Sequence, residues 1–321
     1  MSSSQGMVLK RLSIAIGFIL AAGIGFAIGM VQPHVELLYL PNGAAQAQLP
    51  PEEEEDPRPS RAEEIMRALV KAYPRRVLKA EFRNGDWAVL LRDTWFYYAE
   101  GRLLPEELLY RINDYSPIDF HYYPRELPPW TQPDPEQVRQ FREWSEARSA
   151  QPPRSPHFFD ALYRAHDRDE AYTRVRSLRF FRNPVTVHNA ILEYLALVED
   201  RIFQVSRTDF RVRAWIYDIA RVYGWNWGNA EGTQTRSFHS YGVVIGVMPR
   251  TLGARAIHWG AAGEWWDIPH ERRHHPPEAV IQAFEAYGFV WGGKQPFFDT
   301  IHFTFRPEIL ILNGMELSDV R

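Results

Sequence analysis

Residues 12–31 form an unbroken apolar run without a single charge. As a helix with a rise of about 1.5 Å per residue, a run of about 20 residues spans the hydrocarbon core of a bilayer. Lys10 and Arg11 precede it, and no Lys or Arg follows until Arg58. This asymmetry places the amino terminus in the cytoplasm and the rest outside. The expectation is an uncleaved single-pass anchor. A cleaved signal peptide is the competing reading, through Ala45-Gln46-Ala47. Gly25 and Gly29 make a GxxxG pair that suits helix pairing, although glycine is also common in membrane helices.

Beyond the run the pattern turns polar. The stretch QLPPEEEEDPRPSR over residues 48–61 combines proline with like charge, as an extended, solvated linker does. Ser60 and Glu63 form a capping box that predicts a helix to about residue 72. Alternation over 77–82 and 87–91 around Asn84-Gly85 predicts a hairpin, and residues 95–98 a third strand. A proline-rich stretch over 127–156 encloses one helical segment, 135–147. Further on, Val187, Ile191, Leu195, Val198 and Ile202 recur at helical spacing. Residues 210–223 predict a second helix closed by Gly224, and residues 279–287 a third closed by Gly288. Short β-like runs lie at 242–248, 289–291 and 301–305.

The expected fold class is α+β: a small antiparallel sheet flanked by helices, preceded by a transmembrane helix and a small β-containing accessory region. Five regions follow: tail and anchor 1–31, acidic proline-rich linker 32–61, accessory helix and meander 62–126, connector 127–156, and a domain over 157–315. With 45% hydrophobic and 14% aromatic residues in 321, wholesale disorder is excluded. A net charge of -3 gives no footprint for nucleic acid. Without cysteine there are no disulfides, and any metal site must draw on His, Asp or Glu.

Two segments concentrate chemistry. The first is Ser237-Phe238-His239-Ser240-Tyr241-Gly242, continuing to Gly246. The second is Trp291-Gly292-Gly293 followed by Asp299-Thr300-Ile301-His302-Phe303. Neutral imidazoles suit zinc, and a carboxylate three residues before one of them could reach a water on the metal. The pieces resemble the D-alanyl-D-alanine carboxypeptidase and L-alanyl-D-glutamate endopeptidase family of zinc peptidases, which share a fold with the Hedgehog signalling domain. In that family the motifs run S-x-H-x-x-G-x-A-x-D and D/E-x-x-H-F, and the likeness covers about residues 181–310. It implies that His239 and His302 are zinc ligands and Asp299 the general base. The Asp expected as third ligand is Gly246 here, which has no side chain to offer.

Asp267, Glu264, His258 and His270 lie between the motifs and are candidates to fill that gap. Arg236 is a candidate for holding a substrate carboxylate or an oxyanion, with a plain salt bridge as the competing role. Ser237, Tyr241 and Trp291 are expected near the substrate, with core packing as the competing role for Tyr241, while Trp225, Asn226 and Trp227 could wall a groove or pack in the core. The cluster of His270, His274 and His275 with Arg272 and Arg273 reads as a solvated, pH-sensitive surface. The resemblance implies a zinc-dependent peptidase of the bacterial cytoplasmic membrane, its soluble part outside, acting on peptidoglycan stem peptides. The competing expectation is a pseudo-peptidase that binds cell-wall peptides without cleaving them.

Overall fold

The computed structural model describes residues 59–261, 263–295 and 297–318. The expected anchor over 12–31 and nearly all of the linker over 32–61 lie outside the described residues. Among the described residues no helix is long and apolar enough to cross a membrane.

Helix α1 (Arg61–Ala72) starts at Ser60, whose hydroxyl accepts from the Glu63 amide at 3.3 Å. It buries Ile65, Met66, Ala68, Leu69 and Ala72. Strands β1 (Val77–Arg83) and β2 (Asp86–Leu91) follow, joined at Asn84-Gly85. Both turn residues have positive φ, 50° and 85°, as a tight hairpin with native twist requires. Strands β3 (Thr94–Tyr97) and β4 (Leu104–Pro105) complete an antiparallel meander. Helix α2 (Pro135–Ala147) has proline in its first turn and a full capping box between Asp134 and Gln137.

The carboxy-terminal half begins with α3 (His157–Tyr163) and α4 (Arg168–Arg174), then the hairpin β5 (Val175–Phe180) and β6 (Asn183–His188). Helices α5 (Leu192–Ser206) and α6 (Phe210–Asp218) lead into β7 (Ile219–Tyr223) and β8 (Val244–Pro249). Helix α7 (Glu278–Ala286), β9 (Phe289–Trp291), β10 (His302–Phe305) and α8 (Pro307–Leu312) end the fold. The main sheet is antiparallel, in the order β7-β8-β10-β9. The α+β class with small antiparallel sheets is therefore as expected.

Two expectations need correction. Residues 210–223 are not one helix. The chain leaves α6 at Asp218, and the Ile219-Ala-Arg-Val-Tyr223 run pairs with β8 as an edge strand. Its branched and aromatic side chains fit a pleated surface better than a continued helix. Val187, placed above on a helical face, sits instead in β6 opposite Arg176. The helical period holds only from α5 onward.

One hydrophobic core runs through both halves. It joins Leu69, Val89, Phe96 and Phe158 to Val243, Phe284, Phe289 and Phe303. Helix α1 lies against α8, and the buried Tyr73 hydroxyl donates to Glu308 Oε2 at 2.7 Å. A second polar tie holds the segment after the meander. Tyr123 donates to Glu285 Oε1 at 2.5 Å and accepts from the Trp291 amide at 2.9 Å. Helix α2 buries no residue completely, but Phe141 and Trp144 stack on a loop cluster of Trp259, Trp265, Trp266 and Phe297.

Candidate active site

His302 opens β10, with Gly246 of β8 directly opposite. Gly246 in turn faces Tyr223 of β7. Cross-strand partners present their side chains to the same face of a sheet. Tyr223, Gly246 and His302 thus form one row across three strands. His239 reaches this row from a 3-10 turn over Phe238–Tyr241. The Ser237 hydroxyl caps that turn by accepting from the His239 amide at 3.2 Å. The 224–228 segment clamps it: the Asn226 amide donates to His239 O, Trp225 Nε1 to Ser240 O, and the Gly228 amide to Ser240 Oγ.

The two imidazoles point Nε2 at Nε2, 3.3 Å apart. Their other nitrogens are committed. His239 Nδ1 lies 2.5 Å from the Gly224 carbonyl, and His302 Nδ1 lies 2.6 Å from Asp299 Oδ2. A carbonyl and a carboxylate only accept, so both Nδ1 atoms carry the proton. With both rings in the neutral form that binds a metal, each turns an Nε2 lone pair toward the other. Two lone pairs cannot bond each other; a cation between them resolves the contact. Burial pushes His239 down to about 4 and keeps it neutral at ordinary pH. Nitrogens at 2.0–2.1 Å from a tetrahedral zinc stand about 3.3–3.4 Å apart. The pair thus has the spacing of two zinc ligands, with Gly224 and Asp299 fixing their tautomers.

Asp299 is placed by a close backbone approach. Its amide donates to the Gly292 carbonyl at 3.0 Å, and a Cβ at Gly292 would come within 2.4 Å of the Asp299 carbonyl. Only glycine fits there. Asp299 Oδ1 is buried and has no hydrogen-bond partner among the described residues.

Gly246 leaves a space that Tyr223 fills. A Cβ built on Gly246 would stand 2.2 Å from Tyr223 Cζ. The phenol lies nearly parallel to His239, centroids 5.8 Å apart, and edge-on to His302 at 5.3 Å. The imidazole centroids are 5.0 Å apart, so the three rings are mutual neighbours. Burial, with the charge of Asp299, pushes the Tyr223 phenol up to about 12.

His239, Asp299 and His302 line an open cleft of about 900 Å³, together with Arg148, Arg154, Asn226, Ser237, His258 and Gln295 among others; Tyr223 and Gly246 lie behind that lining. A second cavity, about 730 Å³, lies between α1, α5 and α8 and contains neither imidazole.

Among the described residues no group of three or more His, Cys, Asp or Glu is placed to hold a metal ion. Glu264 pairs with Arg142 at 2.5 Å, Asp267 accepts from Gln132 at 2.7 Å, and His270 Nε2 meets the Pro128 carbonyl at 3.0 Å. All three are drawn to the 128–142 segment. His258 lines the cleft and bridges to the Asp299 backbone, with Nδ1 accepting from the Gly260 amide.

Other site residues fall in different places. Arg236 lines the cleft but spends its guanidinium on Asp160 and on the Ala165 and His166 carbonyls. Tyr241 is buried and donates to Asp160 at 3.0 Å. Trp291 is buried, with Nε1 donating to the Thr300 carbonyl at 2.8 Å. Tyr241 and Trp291 thus support the site from beneath, whereas Ser237 lines it. Trp225 clamps the His239 turn and Trp227 lies under Arg236 at 4.8 Å, while Asn226 faces the cleft.

The His270–His275 segment is only in part the solvated surface its composition suggests: Arg272 and His275 are exposed. Arg273 and His274 are buried. The Arg273 guanidinium covers the Phe298 ring at 4.2 Å and donates to the Ile268 carbonyl.

Sequence reasoning missed Tyr223, Arg148 and Arg154. The signal for Tyr223 was a five-residue branched and aromatic run ending in glycine. Arg154 is desolvated, which lowers it to about 10, and its Nε lacks a partner.

No curated protein and no solved structure matches the chain. Residues 65–120 match a family model described as a domain of unknown function (DUF8518). Residues 231–305, which hold His239, Gly246, Asp299 and His302, match the family described as D-alanyl-D-alanine carboxypeptidase.

Proposed function

We propose that this chain is a zinc-dependent peptidase that hydrolyses peptidoglycan stem peptides, tethered to the outer face of the bacterial cytoplasmic membrane through residues 12–31. The observation that carries the reading is the pair of facing Nε2 atoms 3.3 Å apart, each on a ring whose other nitrogen is locked. The match over residues 231–305 supports the reaction class.

His239 and His302 would hold the zinc. When bound, it supplies Lewis acidity and brings the pKa of water to about 7. Asp299 has two roles, one for each oxygen. Oδ2 accepts from His302 Nδ1 and fixes that ring. Oδ1, without a partner, accepts the proton of the attacking water. Arg148 and Arg154 supply positive charge on the cleft wall for a peptide carboxylate. Arg236, held by Asp160, keeps the wall in place.

Gly246 supports a second reading. Only two of the three expected donors carry a ligating side chain, so the cleft could bind stem peptides without cutting them. Product analysis of stem peptides incubated with the full-length chain separates the two. Cleavage should need added zinc, stop with a chelator, and fall by at least about a hundredfold in Asp299→Asn. Peptide binding without products under all conditions would establish the binding module instead.

A further inference from the structure

We propose that Tyr223 is the third protein donor of this site, so that a divalent metal is held by His239 Nε2, His302 Nε2 and the Tyr223 phenol oxygen. The proposal takes the presence of a metal from the reading above and adds the identity of the donor.

Position is the first argument. Tyr223, Gly246 and His302 are cross-strand partners in one row, so the side chain of Tyr223 rises on the same face as that of His302. A side chain at 246 would point up between them, and the phenol lies where it would begin. Cζ is the ring atom nearest to that point, at 2.2 Å. The oxygen it bears therefore belongs to the space a side chain at 246 would fill. The missing side chain and the large neighbour are one exchange: a donor carried on β8 becomes a donor carried on β7.

Geometry is the second argument. The phenol flanks both imidazoles, parallel to one and edge-on to the other, with all three centroid separations between 5.0 and 5.8 Å. A phenol that merely filled space could sit with its ring against one imidazole. This one neighbours both.

Elimination is the third. No third His, Asp or Glu among the described residues completes the pair. Glu264, Asp267 and His270 are engaged with the 128–142 segment. Asp299 spends Oδ2 on His302. A phenol oxygen is a borderline-hard donor, as a carboxylate oxygen is, and suits the same divalent ions as two imidazoles. On binding, the oxygen–metal bond forms and the phenol proton leaves to solvent.

Tyr223→Phe removes only the oxygen and keeps the ring that fills the Gly246 space. The full-length chain, Tyr223→Phe, His258→Ala and His239→Ala would each be titrated with zinc alone by calorimetry and with copper(II) alone by absorption. Tyr223→Phe should weaken zinc by at least about tenfold. The parent chain should show a phenolate-to-copper charge-transfer band that Tyr223→Phe lacks, and His258→Ala should match the parent. Equal zinc affinity and equal spectra in the parent and Tyr223→Phe overturn the proposal. So does a loss of affinity in His258→Ala alone, or weakening in Tyr223→Phe when the parent shows no band. Zinc binding that His239→Ala abolishes and Tyr223→Phe leaves intact removes the proposal but spares the peptidase reading. No zinc bound by the parent removes both.

Discussion

Two polar clusters lie within one fold and are built on opposite terms. In the first, Lys294 donates to Glu285 and to the Arg125 carbonyl, both at 2.6 Å, and Tyr123 donates to Glu285 while accepting from Trp291. The ion pair is closed to water, with side-chain exposures of 0% and 4%. In the second, His239 and His302 face each other nitrogen to nitrogen, and Asp299 Oδ1 has no partner. Closed clusters join segments of a fold, here the 118–125 segment to α7 and β9. An open cluster costs stability and persists where a ligand completes it.

Removing one partner from the closed cluster should give the largest effect. Lys294→Met leaves Glu285 buried and unpaired and should cost about 3–5 kcal/mol in denaturant unfolding. His239→Ala in the open cluster should cost much less while abolishing metal binding. The reverse order would break the comparison.

The buried histidines come next. Burial lowers His188 and His274 to about 4 from 6.5. Each protonates near 6.5 in the unfolded chain and near 4 in the fold, so the unfolded state takes up more protons as pH falls. Their contribution is whole above pH 6.5 and is lost progressively between 6.5 and about 4, by roughly 3 kcal/mol for a fully buried group. His188 is held between the Tyr163 carbonyl and the Ala190 amide. Unfolding curves across this window should flatten in His188→Gln. An unchanged slope would remove His188 from the account.

A smaller effect concerns the row across the sheet. Gly246→Asp should destabilise by about 1–3 kcal/mol, because its Cβ meets Tyr223 Cζ. Adding Tyr223→Ser should recover most of that loss. A double-mutant cycle with no coupling would show that the two residues do not share the space. The smallest effect lies at the rim. Trp144 stacks on Phe297 at 3.7 Å, and Trp144→Ala should cost about 1 kcal/mol and loosen α2 over the cleft.

What the sequence made legible follows from range. Asn84-Gly85 announced its hairpin because both residues accept positive φ without strain. The hairpin at Phe181-Arg182 carries the same positive φ at both positions, 45° and 65°, on residues that normally avoid it. Its turn is held from elsewhere: the Phe181 amide donates to Glu199 of α5, and the ring packs edge-on to Trp215 of α6. No local signal could show that. His239, Asp299 and His302 were legible as a motif because their spacing is local to two segments. Tyr223 was not, since its meaning arises only when β7 pairs with β8 opposite Gly246. Arg154 likewise belongs to a stretch that reads as a connector and becomes a cleft wall only through tertiary packing.

The central claim is that the facing imidazoles form a metal-holding pair. Zinc content by elemental mass spectrometry, on the full-length chain dialysed against metal-free buffer and compared with His239→Ala and His302→Ala, tests it most directly. The expected result is about one zinc per parent chain and close to none in either variant, with all three folded. A folded parent chain without zinc, or variants that retain it, would contradict the claim.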